Sequence, residues 1–519
     1  MTPRLPLPRI SGARLRGTHL RGALLISLAI LLALPLAAQD LASFEKKTTV
    51  HTLDNGWTFI IVERPTAPVF SFATIVRVGS AQEVPGITGL AHMFEHMAFK
   101  GTRSLGTTDY AAEAAALEEL EASYLALQDE RLKAMPDEER LASLEEAFRD
   151  KQEAAQEYVV QNAFDQAVER AGGVGMNAFT NADWTGYFYS LPANRIELFA
   201  ALESDRFYQP VFREFYQERD VVQEERRLRT ESQPIGRMVE QFLSTAFVAH
   251  PYKQPTVGYM SDLESFTMTD AGEFFETYYA PSNLVTAVVG HVDAEQLVPL
   301  LDRYFGRIPK RAAPQPLRTV EPPQIGEKIV RLEDRAQPFY LEGYHKPAAT
   351  HPDQAVFDAI DDVLSNGRTS RLHRRLIRDE QKAVTAQTFS GFPGDRYPNL
   401  WTALTIPARG VNAKETQAIL HEEIERLKTE DVTEEELERF RARAKADLVR
   451  GLRSNQGLAA QLATYHALYG DWRELFLDIE RLEAVTAQDI RRVAQETFRP
   501  DNRTVVYIET VSDDSGEGR

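Results

Sequence analysis

His92, Glu95 and His96 stand within Gly89-Leu90-Ala91-His92-Met93-Phe94-Glu95-His96-Met97, an H-x-x-E-H string. It is the zinc-binding H-E-x-x-H helix of metallopeptidases spelled in reverse order. On a helix of about 3.6 residues per turn, histidines four apart project from one face with Cβ atoms about 5–6 Å apart, a span that a tetrahedral ion can bridge. Glu95 is next to His96 and three residues past His92, so its carboxylate is near such an ion without being obliged to bind it, as a general base requires. Leu90, Met93, Phe94 and Met97 occupy the remaining face and fix the helix to a core.

Two histidines leave the site one ligand short. The chain has no cysteine, so the third ligand is a His, Asp or Glu, and the expected ion is Zn2+. The run Glu218-Arg219-Asp220-Val221-Val222-Gln223-Glu224-Glu225-Arg226-Arg227 is strongly helical in pattern. Glu218 and Glu225, seven apart, fall nearly on one face, while Glu224 points about 100° away from Glu225. Taken alone, such a run reads as a solvated charged face. The chemistry implied is metal-assisted hydrolysis of a peptide bond: the ion polarises the carbonyl, and Glu95 moves a proton from water to the leaving amine.

The rest of the 519-residue chain must position these groups. Its 43% hydrophobic content gives room for two or more cored domains. A formal net charge of −18 argues against nucleic acid as a partner and suits cationic peptides. Arg4, Arg9, Arg14, Arg16 and Arg21 precede an apolar run from Ala23 to Leu36 and then Ala37 and Ala38. That is the order of a signal peptide over 1–38, which implies export, most readily to a bacterial periplasm. The alternative is an uncleaved membrane anchor over Gly22 to Ala38.

An internal repeat organises the remainder. Leu263-Glu264-Ser265-Phe266-Thr267, Asp270 and Tyr279-Ala280-Pro281-Ser282-Asn283 recur as Leu482-Glu483-Ala484-Val485-Thr486, Asp489 and Phe498-Arg499-Pro500-Asp501-Asn502, with Leu263 and Leu482, like Asn283 and Asn502, 219 residues apart. Each copy reads as a capped helix, a turn and a strand, so duplication is expected. The predicted fold is α+β, with two homologous α/β-sandwich halves at 45–310 and 325–511 joined by a Pro-rich linker at 311–324. The first half, beginning with strands at Trp57–Val62 and Phe70–Val78, carries the candidate ligands; the second carries no H-x-x-E-H. Residues 108–171 are charged, Ala- and Leu-rich, and read as an inserted antiparallel helical hairpin turning at Met135-Pro136-Asp137. Its stripe of Leu117, Leu120, Tyr124, Leu127, Leu141, Leu144 and Phe148 is expected to be buried between the two helices of a solvated arm.

Leu53-Asp54-Asn55-Gly56, His92 to His96 running into Phe99-Lys100-Gly101-Thr102, Gly172-Gly173 with Asn177-Ala178-Phe179-Thr180, Asp205-Arg206, and Glu218 to Glu225 together resemble the pitrilysin and insulinase family of metallopeptidases. The similarity is to the shorter two-domain members, which include bacterial processing proteases and the mitochondrial processing peptidase. It implies that Glu225 is the third zinc ligand, that Glu218 is a supporting carboxylate, and that Asn177, Ala178, Phe179 and Thr180 lie on an edge strand pairing with an extended peptide. It also implies a clam-shell chamber that takes peptides or unfolded segments.

Two departures stand out. His96 and Glu225 are 129 residues apart, the insertion at 108–171 supplying the excess. Members that hold substrate with the second half carry an Arg and, seven residues later, a Tyr; here Arg378 is followed by Thr385, and the register one residue earlier gives Ile377 and Val384. The expectation is therefore a zinc-bearing chain that works with a homologous zinc-free subunit retaining that pair, or else as a homodimer. A non-catalytic assembly subunit of the same fold is the alternative.

Overall fold

The computed structural model describes residues 41–511; the signal-peptide reading of 1–38 lies outside the described residues. Up to Lys47 the described chain is a separate unit with one short helix, Leu41–Glu45. All that follows concerns the unit from Thr48 onward. No helix among the described residues is long and apolar enough to cross a membrane.

β-branched and aromatic runs build two sheets. The first contains β1 (Thr48–Thr52), β2 (Thr58–Glu63), β3 (Val69–Val76), β4 (Val174–Thr180), β5 (Thr185–Pro192) and β6 (Leu284–Gly290), in the order β1-β2-β6-β3-β5-β4. The second contains β7 (Lys328–Asp334), β8 (Phe339–Lys346), β9 (Ala383–Phe392), β10 (Asn399–Pro407) and β11 (Arg503–Thr510), in the order β7-β11-β8-β10-β9. Apart from β1 the two orders match, and so do the directions: β6 is parallel to β2 and antiparallel to β3, as β11 is to β7 and β8. The strands β4 and β9 are equivalent sheet edges.

The repeat is visible atom by atom. Thr267 and Asp270 form a capping box at the start of helix Met268–Tyr278, and Thr486 and Asp489 do the same for Ala487–Thr497. Each helix passes through a 3-10 turn, Pro281–Asn283 or Pro500–Asn502, into β6 or β11. The protein is an α+β fold of two duplicated halves.

Packing does not divide where the chain does. Helix Pro234–Ala246 of the first half lies on the second sheet, where Met238, Phe242 and Leu243 join Leu341, Leu400, Val506 and Ile508 in one apolar cluster. In return, helix Asn455–Tyr469 of the second half packs on β3 and β6, burying Leu458, Ala459, Leu462 and Ala463. Each sheet thus has its own helices on one face and a helix borrowed from the other half on the opposite face, which explains why its strands are apolar on both faces. The segment between the halves is free of helix and strand from 309 to 327. Glu321 pins it by accepting hydrogen bonds from the backbone N–H groups of Val248, Ala249 and His250 at 2.7–2.8 Å.

The insertion departs from a two-helix arm. Helices Tyr110–Arg131 and Glu138–Gln156 are followed by a third, Ala163–Arg170. The chain reverses at Asn162, which takes a left-handed φ of 56°, a conformation Asn tolerates without Gly or Pro to announce it. Nor is the apolar stripe shared only within the hairpin. Leu120 and Tyr124 belong to the main core, and the Tyr124 hydroxyl donates to the Glu264 carbonyl at 2.6 Å. The Arg219 guanidinium lies over the rings of Tyr124 and Tyr216.

The tightest joint between insertion and core is ionic. Arg213, 1% exposed, forms a two-point bond with fully buried Glu113, Nε to Oε1 at 2.5 Å and Nη2 to Oε2 at 2.7 Å. The same guanidinium donates to the carbonyls of Lys100, Leu105 and Thr102 at 2.7, 3.2 and 3.2 Å. Gly101 and Gly106 make room for it: both have φ near +95°, and a Cβ on either would approach Arg213 Nη1 within 2.8 Å. Glu113→Gln or Arg213→Met is expected to strand a buried charge or its partners and cost about 3–5 kcal/mol. Urea denaturation of both single variants and the double variant checks this, with the double losing less than the sum.

Candidate metal centre

Helix Leu90–Met97 is short and begins at Gly89, whose φ of 94° leaves no side chain to cap it. Glu83 does so from outside, its carboxylate accepting from Gly89 N at 2.8 Å and Ala91 N at 2.7 Å, where the helix dipole favours negative charge. The apolar face is locked in place by Leu90, Met93 and Phe94, and Phe94 stacks between Phe274, Phe275 and Tyr279. That leaves His92 and His96 facing helix Phe215–Arg226, with ring centroids 4.9 Å apart.

His92, His96 and Glu225 bring one ligand atom each to within 4.8 Å of the others. His92 Nε2 lies 3.7 Å from Glu225 Oε1, and His96 Nε2 lies 3.3 Å from Glu225 Oε2. His92 is 7% exposed, yet its Nδ1 has no hydrogen-bond partner and its Nε2 stands beyond hydrogen-bond length from Glu225. A buried imidazole nitrogen without a partner is costly, and the Nε2 edge of the same ring is turned toward Glu225. Two nitrogens and a carboxylate are a donor set that suits zinc. The residues present therefore fit the ion.

Electrostatics separate the two histidines. Burial, and then the neighbouring His96, pushes His92 down to about 4. Burial also works against protonation of His96, but bonds to Glu218 and Glu225 outweigh it and raise His96 to about 9. His96 Nδ1 lies 3.4 Å from Glu218 Oε2, and Glu218 is in turn held by Lys100 Nζ at 2.5 Å. The Glu225 carboxyl is held below the usual range, first by its bond to His96. Glu95 shifts the other way: burial raises it, partly offset by a hydrogen bond with Thr180.

Thr180 ends β4, the sheet edge that runs past this helix. Asn177 is exposed and folds its Oδ1 back on Ala178 N at 2.9 Å; Ala178 is buried, and Phe179 packs across Gly186. Glu224 points away, its side chain 63% exposed and paired with Arg227. Asp205 and Arg206 have structural roles: Asp205 binds Ser104 and Arg307, and Arg206 binds Glu203 beneath Tyr187. Two groups at the centre escape a reading of the sequence, Glu83 and Arg229. Arg229 was hidden in a charged run, although its i+4 spacing from Glu225 was the available signal.

The second half does not bring its Arg-to-Thr stretch into this cluster. Arg378 ends a π-helical segment, His373–Asp379, with its guanidinium on the adjacent Asp379 at 2.6 Å. Thr385 lies on β9. The position equivalent to Glu225 in the repeat is Ala444, on helix Glu434–Gly451.

Comparison with known proteins agrees with this architecture. Residues 58–126 match the model described as "Insulinase (Peptidase family M16)", and residues 265–445 match "Peptidase M16 inactive domain". The zinc protease PqqE of Helicobacter pylori is 29% identical over 91% of this chain and 95% of its own. The crystal structure of a protease from Helicobacter pylori superposes with a TM-score of 0.74 at 26% identity, covering 89% of this chain and 99% of that one. The periplasmic protease PqqL of Escherichia coli, at 17% identity and a TM-score of 0.65, shares the fold over 91% of this chain but only 49% of its own. In both halves the chain is similar to the insulinase family, peptidase family M16.

Proposed function

We propose that the chain is a zinc-dependent endopeptidase for peptides and unfolded segments, with His92, His96 and Glu225 holding Zn2+. The observation that carries this reading is the convergence of those three side chains, one of them a buried histidine, with their ligand atoms within 4.8 Å of one another. When bound, the ion supplies positive charge that polarises a carbonyl and makes water a better nucleophile. Glu95 takes the proton of the water that adds to the scissile carbonyl carbon and returns it to the amine as the C–N bond breaks; burial keeps its basicity above that of a free carboxylate. Glu218, braced by Lys100, orients the His96 ring. Asn177 to Thr180 present the unpaired edge of β4 to an extended peptide, which lays the cleaved bond beside Glu95.

Five variants test the assignment. His92→Ala, His96→Ala and Glu225→Gln are each expected to lose zinc by elemental analysis, while Glu224→Gln keeps it. Glu95→Gln is expected to keep zinc and lose about 100- to 10,000-fold in cleavage of a quenched fluorescent peptide. Full activity in Glu95→Gln would refute the mechanism; zinc binding without any hydrolysis by the wild-type chain would favour a non-catalytic assembly subunit.

Zinc uptake should also depend on pH. Ligand imidazoles are neutral, whereas the metal-free protein keeps a proton on His96 up to about pH 9. Binding therefore releases protons, and affinity is expected to rise from about pH 6 to about pH 8. Titration calorimetry in buffers of different ionisation enthalpy reads both effects.

The finer reading is that a second subunit of the same fold completes the enzyme. What supports it is that Arg378 is paired with Asp379, that Thr385 replaces a Tyr, and that PqqL has about two such folds in one chain. A zinc-free homologue from the same organism is expected to raise turnover when mixed with the purified chain. Equal turnover alone and in the mixture would eliminate a required zinc-free subunit. The sequence of residues 1–38 supports export to a periplasm, with an uncleaved anchor as the alternative.

A further inference from the structure

Resting on the peptidase reading, we propose that Arg229 contacts the peptide and meets the negative charge that develops on the oxygen of the carbonyl being cleaved. The residue lies in the π-helical turn Arg227–Glu231 that continues the Glu225 helix, a distortion that recurs at functional sites. Its Nη1 is 2.5 Å from Glu225 Oε1, and its side chain is 79% exposed. The positive charge reaches His92 and Glu95 as well as Glu225.

Neighbouring arginines are committed elsewhere. Arg219 is buried, donates to the Phe266 carbonyl and lies over two tyrosine rings. Arg226 is buried against Glu240 and the Gly258 carbonyl, and Arg227 faces Glu224. Arg229 combines contact with a candidate ligand and exposure to the space beside it. A guanidinium has five N–H donors in a fixed fork; the bond to Glu225 holds one side and anchors a long side chain that exposure would otherwise leave free. The rest of the side chain is exposed, which leaves its other donors free for the carbonyl of a peptide paired with β4.

The role differs from that of Glu218 and Lys100, which act on the substrate only through His96. As water adds to the carbonyl carbon, its oxygen passes from a dipole to an anion, and a cation fixed beforehand stabilises the second state more than the first. Loss of one such donor costs about 100- to 1,000-fold in rate. Lysine, a point charge without the fork, restores part of that at most.

The test separates substrate contact from support of Glu225. Zinc affinity is measured for the wild type, Arg229→Ala and Arg229→Lys. Their kcat and KM are determined with a quenched fluorescent peptide. Calorimetry then compares zinc-loaded proteins for a phosphinic peptide, whose tetrahedral anionic centre replaces the cleaved amide, and for the intact peptide in a Glu95→Gln background. The expected result is unchanged zinc affinity, a kcat lowered about 100-fold or more with KM moving far less, and a similar loss in phosphinic-peptide affinity while intact-peptide affinity changes only a few-fold. Loss of zinc from Arg229→Ala, or equal phosphinic-peptide affinity in wild type and variant, would overturn the proposal. A wild-type chain that binds zinc and the phosphinic peptide but cleaves nothing would instead sink the peptidase reading, and the calorimetric arm would still decide Arg229.

Discussion

The candidate site depends on a charge that sits outside it. Arg213 stands just before the helix that carries Glu218 and Glu225, and its guanidinium is fixed by Glu113 and by three carbonyls of the loop Lys100–Leu105 that follows the His92–His96 helix. One buried cation therefore ties the end of the His92–His96 helix to the start of the Glu225 helix and to the inserted helix Tyr110–Arg131. The ion pair has no solvent to relax into, so its length cannot drift cheaply. Ligand atoms that must meet within a few ångströms, from residues 129 positions apart, need a joint of this stiffness. An apolar contact would hold the helices together, but its lack of direction would leave their rotation less defined.

The second half contributes to the same end without contributing ligands. Asp183, fully buried, lies three residues past Thr180 in the turn from β4 to β5. It accepts from the Tyr252 hydroxyl at 2.6 Å and from the backbone N–H groups of Asp395 at 2.5 Å and Arg396 at 3.0 Å. Gly394 is needed there, because a Cβ would fall 2.4 Å from the Asp183 carboxylate. Helix Asn455–Tyr469 meanwhile covers the sheet face behind the site, and Gln456 reaches the Gly175 carbonyl in β4. The strand proposed to pair with a peptide is thus held at both ends by residues more than 200 positions away. Separating the halves would release β4 before it would disturb His92 and His96, whose helix is buried in the first half's own core.

How far the sequence could be read follows from the range of the forces involved. The shared face of His92 and His96 is a property of four consecutive positions, and the repeat at Thr267 and Thr486 is a property of one capped helix; both are local and both were legible. That the stripe Leu120, Tyr124 and Leu127 is buried was also legible, since its period is that of a helix. What it is buried against was not, because a stripe records the presence of a partner and not its identity; it meets the Glu225 helix and the Glu264 turn rather than its hairpin mate alone. The exchange of helices Pro234–Ala246 and Asn455–Tyr469 was invisible for the same reason. Glu225 could be distinguished from its neighbours only by face and by family resemblance, and Arg229 could not be distinguished from a solvated arginine until its distance to Glu225 was known.

The balance of charges around the site sets what it would bind. Glu214, Glu218 and Glu225 are linked through Lys100 and His96, and Glu95, bonded to Thr180 and within reach of the charges of Glu225 and Arg229, is a fourth carboxylate beside them. Lys100 and Arg229 offset two of them, leaving the group two negative charges in excess when both histidines are neutral. Without a metal, that excess draws a proton onto His96, which is why the residue is raised to about 9 while the more deeply buried His92, farther from Glu218, is driven down to about 4. In the proposed site a dication would remove that excess and leave His96 to serve as a neutral ligand.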